Sequence, residues 1–444
     1  MRVALHTLGC RVNHGETEGM AKLLSQAKAE IVPFSREADV YIINTCTVTA
    51  VAAQKSRQML SRAKRQNPSA RIIAVGCLAN TDGGGLIDAG LADLCLAPGE
   101  RTRIVQHVFA LLGAYTPPMG ESPQDEWALP VFEGNRVRAD LKVQDGCNRL
   151  CSYCVIPLAR GLPRSRPLDD CRNAMLALAR RGIKELTLTG IQLAAWGENL
   201  PDKPDLTALI KAAGEIADLP RLRLGSVEPQ IITPAFADAC AQSPNLCPQF
   251  HVSLQSGSDG ILRRMNRRYT VEEYAAAVHM LREAMPLCAV STDIIAGFPG
   301  ESLAEHTETL AFIRKLGFSR VHAFPFSPRK GTAADAMAGK LPRAEIERRT
   351  REIIALGDTL AAEFAAAQVG RDVRVLVEGD GEGYTENYVR ARVAGDCPTG
   401  TIVAGRVTAA KGATLIVNGA GIESKSPLSG SCFLCYTNGG DSVY

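Results

Sequence analysis

The chain has 444 residues, of which 46% are hydrophobic and 22% are charged. This composition is that of a globular protein with substantial cores, and the length predicts two or three domains. The formal net charge of +3 excludes the strong overall positive field of many nucleic-acid-binding proteins. No apolar run reaches the roughly 18 residues of a membrane-spanning helix, and no secretory signal leads the sequence. We therefore expect no membrane contact and a cytoplasmic location.

Residues 1–112 are predicted to form an open parallel sheet, because short apolar runs alternate there with helical patterns. The expected strands are 3–8, 31–34, 40–44, 72–75 and 91–96, and the expected helices are 16–27, 50–65 and 102–112. Residues 113–135 are rich in proline and glycine, which is typical of a linker.

Residues 136–368 contain six strand-like runs separated by helical or loop-rich segments. These runs lie near 138–144, 185–189, 221–226, 250–254, 288–294 and 319–324. Six repeats of this kind indicate a partial (β/α)6 barrel rather than a full eightfold one. An amphipathic stretch at 343–367 is expected to form a long closing helix.

Residues 369–420 change to short strands with glycine and aspartate turns, which predicts a small all-β barrel. The expected strands are 373–378, 388–393, 400–409 and 414–417. Residues 421–444 are rich in glycine and serine and are predicted to be a disordered tail, in which Cys432 and Cys435 are two exposed thiols. The fold class is therefore α/β, followed by a small all-β domain.

Three cysteines, Cys147, Cys151 and Cys154, lie in the run QDGCNRLCSYCVIPLARG. Thiolates at this spacing can hold one face of a cubane 4Fe-4S cluster. Such clusters usually take four cysteines, so three leave one iron open. An open, redox-active iron can bind a small molecule and pass it an electron. The alternative is half of a structural zinc site, which would need a fourth ligand, although the next histidine is the distant His251.

Three further cysteines, Cys10, Cys46 and Cys77, each follow an apolar strand, in VALHTLGC, YIINTC and IIAVGC. Because the carboxyl ends of parallel strands share one edge of a sheet, these thiols are expected to converge. The alternative is three core-filling thiols. The other cysteines before the tail are interpreted as packing or incidental residues, namely Cys95, Cys171, Cys240, Cys247, Cys288 and Cys397.

The cysteine loop resembles the CxxxCxxC signature of the radical S-adenosylmethionine enzymes, and the chain as a whole resembles their methylthiotransferase family. The N-terminal matches are LGCRVNHGETEGM, NTCTVTAVAAQKSRQ and AVGCLAN. The barrel matches are LTLTGIQ, RLGSVEP, HVSLQSGSDGILRRMNRRYT, DIIAGFPGES and FPFSPRKGT. The segment EGYTENYVRARV is similar to the TRAM domain, the RNA-binding β-barrel of the family.

The resemblance implies two 4Fe-4S clusters and S-adenosylmethionine as cofactors. The barrel trio, Cys147/Cys151/Cys154, would bind and cleave S-adenosylmethionine to a 5′-deoxyadenosyl radical, and the Cys10/Cys46/Cys77 cluster would hold the sulfur. NTCTVT, QDGCN and GYTENYVR are most similar to the branch that adds a methylthio group to C2 of N6-threonylcarbamoyladenosine at position 37 of tRNA.

Several residues at barrel strand ends are candidates for contacts with S-adenosylmethionine, because loops after the strands carry the chemistry of α/β folds. They are Thr189, Gly190, Ser226, Glu228, Ser253, Gln255, Asp293 and Gly297. Candidates for tRNA contacts are three arginines suited to phosphates and two tyrosines suited to base stacking, Arg160, Arg164, Arg166, Tyr384 and Tyr388.

The expected partners are the anticodon stem-loop of tRNA, an electron donor such as flavodoxin or ferredoxin, and a sulfur source. Two alternatives keep the chemistry and change the target, to isopentenyladenosine in tRNA or an aspartate of a ribosomal protein. A third is a non-enzymatic RNA-binding protein in which iron–sulfur or zinc sites act only as scaffold. Cleavage of S-adenosylmethionine distinguishes the enzyme from the scaffold.

Overall fold

A parallel sheet of five strands, in the order β2-β1-β3-β4-β5, forms the first part of the chain. In the computed structural model its strands are β1 Arg2–Thr7, β2 Glu30–Val32, β3 Val40–Thr45, β4 Arg71–Val75 and β5 Leu94–Cys95. The helices around it are α1 Arg11–Gln26, α2 Ala50–Gln66, α3 Gly76–Asp88 and α4 Ile104–Leu111. The open parallel sheet predicted from the sequence is confirmed.

The structure describes residues 1–113, 127, 129 and 137–422. The predicted linker therefore lies almost entirely outside the described residues, as do the predicted tail beyond residue 422, Cys432 and Cys435. No helix among the described residues combines the length and the apolar character needed to cross a membrane.

Helix α3 was not predicted from the sequence. Three successive glycines, Gly83, Gly84 and Gly85, lie inside it, and each lowers helix propensity by about 1 kcal/mol relative to alanine. Asp82 leaves the helical conformation, with φ −146° and ψ 28°. Leu86 beyond the kink is nevertheless completely buried beneath the sheet, so tertiary packing outweighs the local propensity.

The central part is a partial barrel of six parallel strands, as predicted. These strands are β6 Arg138–Asp145, β8 Glu185–Gly190, β9 Leu222–Leu224, β10 Gln249–His251, β11 Ala289–Ala296 and β12 Arg320–Pro325. A two-residue strand, β7 Arg164–Ser165, pairs antiparallel with the end of β6. Two sheets, β7-β6-β8-β9 and β10-β11-β12, are joined by parallel bridges such as Val227 to Val252.

Several helices of the barrel begin at residues whose side chains cap them. Their bounds are α5 Ile156–Arg160, α6 Leu168–Arg180, α7 Leu206–Gly214, α8 Pro234–Gln242, α9 Asp259–Arg264, α10 Val271–Ala284, α11 Leu303–Leu316 and α12 Arg343–Ala366. Thr270 with Glu273, and Ser302 with Glu305, form capping boxes that satisfy the first free amides of α10 and α11. Gly317, at φ +60°, ends α11.

The last part is a closed five-stranded barrel, as predicted, in the order β13-β14-β15-β17-β16. Its strands are β13 Asp372–Gly379, β14 Glu382–Thr385, β15 Arg390–Val393, β16 Ile402–Lys411 and β17 Thr414–Ile422. Strand β14 was not predicted. Strand β17 continues to Ile422, so the first two residues of the predicted tail belong to the barrel.

This small barrel packs against the amino ends of β6, β8 and β9. Buried Glu185, the first residue of β8, forms ion pairs with Arg138 Nε at 3.0 Å and Arg223 Nε at 2.9 Å. The neighbouring Arg221 donates to the backbone oxygen of Tyr384 at 3.1 Å. The small barrel therefore lies at the opposite end of the strands from the cysteine loop, which follows the carboxyl end of β6.

Candidate active site

The loop that carries Cys147, Cys151 and Cys154 is held tightly by the backbone. Gly146 has φ +75°, and a Cβ there would lie 2.0 Å from the carbonyl oxygen of Leu162, so only glycine fits. The amide of Cys147 donates to Gly161 O at 2.9 Å. Across the loop, Ser152 N donates to Met265 O at 3.0 Å. The three thiols are therefore presented by a loop that is fixed at both sides.

These three thiols line one cavity at the carboxyl ends of the barrel strands. Other residues around it are Arg149, Tyr153, Gln192, Ser226, Glu228, Ser253 and Arg267. Burial, together with the neighbouring Cys151 and Cys147, raises the pKa of the Cys154 thiol to about 12. The three cysteines are thus electrostatic neighbours.

Glu228 is the centre of a charged network in this cavity. Its carboxylate accepts hydrogen bonds from Arg149 Nε at 3.0 Å and Gln192 Nε2 at 2.8 Å, and it forms an ion pair with Arg267 Nη1 at 3.1 Å. Arg267 Nη1 also lies 3.4 Å from Cys151 Sγ. A guanidinium charge therefore stands directly beside one sulfur of the trio, with a carboxylate holding it in place.

The predicted cofactor contacts separate into two groups. Ser226, Glu228 and Ser253 line the cavity. Thr189, Gly190, Gln255, Asp293 and Gly297 are not among its lining residues. Gly190 accommodates the side chain of Gln144, since a Cβ there would lie 2.8 Å from Gln144 Cβ.

The two predicted residues of the fifth barrel strand are engaged elsewhere. Asp293 lies inside β11, where its Oδ2 is 3.1 Å from His251 Nε2. Gly297 was predicted to contact S-adenosylmethionine, but a Cβ there would lie 2.6 Å from Ile346 Cγ1. Helix α12 therefore occupies the space beside Gly297, and this part of the prediction is corrected.

The second trio lies at the carboxyl edge of the N-terminal sheet. Cys10, Cys46 and Cys77 follow β1, β3 and β4, which are adjacent in the sheet. A Cβ on Gly9 would lie 3.0 Å from Cys46 Sγ, and Asn13 Nδ2 ties the strand ends together. Burial raises the pKa of Cys46 to about 12, and the nearby Cys77 and Cys10 add to the rise. The structure therefore brings the three thiols together.

Arg160 joins the two trios. Its side chain is 0% exposed, and its Nη1 lies 2.8 Å from Glu16 Oε1 and 3.1 Å from Asp145 Oδ2. Its Nε lies 3.4 Å from Cys77 Sγ. Arg160 is therefore not available to a tRNA phosphate, which corrects the sequence prediction.

The other four predicted tRNA contacts differ in exposure and place. Arg164 is 41% exposed and lies 3.6 Å from Asp145 Oδ2, near the cysteine loop, whereas Arg166 is half-buried. Tyr384 and Tyr388 stack on each other with ring centroids 4.7 Å apart. Both rings are half-buried under the Arg138 guanidinium, at the end of the barrel far from the cysteines.

Each trio offers three thiols, the donor type that iron–sulfur clusters take. All six cysteines are free thiols. Among the described residues, no three His, Cys, Asp or Glu side chains converge closely enough to ligate one ion. A cubane cluster takes its thiolate ligands on separate iron atoms. The soft, spaced thiolate donors therefore fit a cluster.

Comparisons with known proteins agree with this arrangement. Residues 2–96 match the model of an "Uncharacterized protein family UPF0004", and residues 141–313 match that of the radical SAM superfamily. The solved structure of the radical S-adenosylmethionine methyltransferase TsrM from Kitasatospora setae superposes with a TM-score of 0.55 at 16% identity, covering 72% of each chain. The fold and the cysteine loop thus define a radical S-adenosylmethionine enzyme, a class that uses a 4Fe-4S cluster and S-adenosylmethionine.

Curated relatives identify the family within that class. "Threonylcarbamoyladenosine tRNA methylthiotransferase MtaB" of Bacillus subtilis is 36% identical over 87% of this chain and 89% of its own length. The protein of the same name from Aquifex aeolicus is 35% identical, covering 91% and 99%. "tRNA-2-methylthio-N(6)-dimethylallyladenosine synthase" of Pseudothermotoga lettingae is 32% identical, covering 85% and 88%. The chain belongs to the radical S-adenosylmethionine methylthiotransferases.

Proposed function

We propose that this enzyme adds a methylthio group to C2 of N6-threonylcarbamoyladenosine at position 37 of tRNA. One observation carries the proposal: two separate cysteine trios face one interface, where Arg160 contacts both Cys77 and the carboxylate two residues before Cys147. A radical source and a sulfur carrier must act on the same carbon, so the reaction needs such proximity. Relatives named for this nucleoside, at 34–36% identity, support the choice of substrate.

The barrel trio, Cys147, Cys151 and Cys154, would hold a 4Fe-4S cluster with one open iron. When bound, this cluster supplies the electron that cleaves S-adenosylmethionine to an adenosyl radical, the difficult part of the chemistry. The protein positions the cofactor. Ser226 and Ser253 line the cavity and would offer hydroxyl groups to the ribose, while Glu228 keeps Arg149 at its edge.

The N-terminal trio, Cys10, Cys46 and Cys77, would hold a second 4Fe-4S cluster that carries the sulfur. Its site lies at the sheet edge that faces the barrel, where Arg160 of the barrel contacts Cys77. Arg164, which is partly exposed beside the cysteine loop, is our candidate for a tRNA phosphate contact. The reaction further requires an electron donor, such as flavodoxin or ferredoxin, and a sulfur source, and we place it in the cytoplasm.

The first experiment counts iron and sulfide in anaerobically reconstituted protein and follows the clusters by Mössbauer spectroscopy. We expect about eight irons in the wild type and about four in Cys10/Cys46/Cys77→Ala. About four irons in both proteins would contradict the sulfur-carrying cluster. Release of 5′-deoxyadenosine without any cluster would contradict the barrel assignment.

A second candidate substrate is isopentenyladenosine in tRNA, because relatives named for the dimethylallyl nucleoside are 32–34% identical. Mass spectrometry of tRNA nucleosides from a strain lacking the protein separates the two. Loss of the methylthio form of the threonylcarbamoyl nucleoside supports our proposal. Loss of the methylthio form of the isopentenyl nucleoside supports the second candidate. If the methylthio nucleosides of the tRNA are unchanged and an aspartate of a ribosomal protein has lost its modification, neither tRNA candidate is supported.

A further inference from the structure

A barrel residue enters the N-terminal cysteine site. Arg160 is the last residue of α5, directly after the barrel cysteine loop, yet its Nε points to Cys77 Sγ at 3.4 Å. Its Nη2 donates to Asn13 Oδ1 at 2.5 Å. The contact is made from the short helix that follows the barrel cysteine trio.

The guanidinium of Arg160 is fixed in one orientation. Glu16 of the N-terminal domain and Asp145 of the barrel both accept from Nη1, at 2.8 and 3.1 Å. Both carboxylates are buried. Because the five donors of a guanidinium lie in one plane, two carboxylates and one amide on the Nη atoms leave Nε–H directed at the sulfur. The surrounding side chains therefore hold Arg160 in the orientation that makes the contact with Cys77.

We infer that Arg160 is a positioning residue that completes the N-terminal cluster site from the barrel domain. Its Nε–H donates to the sulfur of Cys77, and this charge-assisted hydrogen bond favours the reduced, more negative state of a cluster that Cys77 ligates. The inference rests on the proposed second cluster. The reduction potential of the N-terminal cluster would then depend on docking of the barrel, which links the sulfur carrier to the radical source.

The barrel trio has a corresponding arginine of its own domain, which provides a matched control. Arg267 Nη1 lies 3.4 Å from Cys151 Sγ, and Glu228 holds it. A second control shares the network of Arg160 but not the sulfur: Arg101 Nη1 lies 2.5 Å from Glu16 Oε1 and is equally buried. Arg101 and Arg160 therefore share the contact with Glu16 and differ in the contact with the Cys77 sulfur, which Arg160 makes.

The test measures cluster midpoint potentials by EPR-monitored titration of the full chain carrying one cluster at a time. In Cys147/Cys151/Cys154→Ala, which retains the N-terminal site, we expect Arg160→Lys to shift the potential to a more negative value. Lysine keeps the charge but cannot contact the carboxylates and the sulfur together. Arg101→Lys should leave this potential unchanged.

The reciprocal background, Cys10/Cys46/Cys77→Ala, retains the barrel cluster. There Arg160→Lys should have no effect, whereas Arg267→Lys should shift the potential to a more negative value. Arg160→Gln replaces Arg160→Lys if circular dichroism shows that the latter does not fold.

An unchanged N-terminal potential in the Arg160 variant would overturn the inference, and so would an equal shift in Arg101→Lys, which would reveal a general effect of the network. The iron count distinguishes failure of the proposed function from failure of this inference. About four irons in the wild type would show that there is no second cluster. About eight irons in the wild type, without a shift of the N-terminal midpoint potential that is specific to the Arg160 variant, would overturn the role of Arg160 and leave the second cluster in place.

Discussion

At the scale of single residues, the two cysteine trios are expected to separate two activities. Cys151→Ala removes a ligand of the barrel cluster and should abolish cleavage of S-adenosylmethionine together with tRNA modification. Cys46→Ala should leave cleavage measurable and abolish methylthio transfer, because only the sulfur carrier is lost. Both products, 5′-deoxyadenosine and modified nucleoside, are quantified by mass spectrometry after one anaerobic reaction.

Cys240→Ala is the control for that comparison, since Cys240 is a buried thiol of the barrel core. We expect it to retain both activities. If Cys46→Ala abolished cleavage as well, the two sites would not be functionally separable, and the division of roles proposed for them would be wrong.

The cysteines could be predicted from sequence because spacing and strand ends are local signals. The arginines beside them could not. Arg160 and Glu16 are 144 positions apart, and nothing in the sequence near either residue indicates the other. Arg267 lies in a basic run, RRMNRR, that resembles an exposed charged surface, although its side chain is only 7% exposed. Ion pairs of this kind are set by the tertiary fold.

At the scale of elements, the packing of α12 depends on Gly297. This glycine has φ +74°, and Ile346 of α12 fills the place of its missing Cβ. Gly297→Ala should therefore lower the free energy of unfolding by roughly 2–4 kcal/mol, combining left-handed strain of about 1 kcal/mol with overpacking of about 1–3 kcal/mol. Urea unfolding of the apoprotein, followed by circular dichroism, measures the change.

Gly412→Ala is the matched control, because Gly412 also has a positive φ, +56°, but its Cβ would meet nothing within 4 Å. Only the conformational strain of about 1 kcal/mol is expected there. Equal losses in the two variants would show that contact with α12 is not what requires glycine at position 297.

The strands of the N-terminal sheet and all six barrel strands were predicted from their apolar runs, whereas helix α1 begins at Arg11 and not at residue 16. Two elements that were not predicted, α3 and β14, have the same physical origin. Glycines within them weaken the local pattern, and both are held by long-range contacts. Gly383 in β14 approaches β13 so closely that a Cβ would lie 1.9 Å from Leu376 O. Glycine at this position permits close packing of the two backbones, whereas in the sequence the same glycine indicates a turn.

At the scale of the whole molecule, a buried network of five charges joins the N-terminal domain to the barrel. Its members are Glu16, Arg101, Lys142, Asp145 and Arg160. Three cations and two anions leave one positive charge, which stands beside the Cys77 sulfur. Removing one partner from such a network leaves a buried charge without its counter-charge. The stability of the interface is therefore expected to depend on protonation of the network.

Glu16 makes this sensitivity measurable. Burial alone would raise its pKa, but Arg101, Arg160 and Lys142 outweigh burial and lower the pKa from 4.5 to about 2. A carboxyl with a lowered pKa stabilises the folded state above its unfolded value, and this contribution is lost as the pH falls through the window from 4.5 to about 2. The melting temperature of the apoprotein should therefore fall steeply in that window.

Glu16→Gln tests the origin of this acid sensitivity. The variant should melt at a lower temperature than the wild type at pH 7, and the difference should shrink as the pH falls, because protonation makes the wild type resemble the variant. Glu37→Gln, at an exposed position of the same domain, should follow the wild type throughout. If the Glu16→Gln difference were constant with pH, the carboxylate charge would not be what holds the two domains, and shape complementarity would carry the interface.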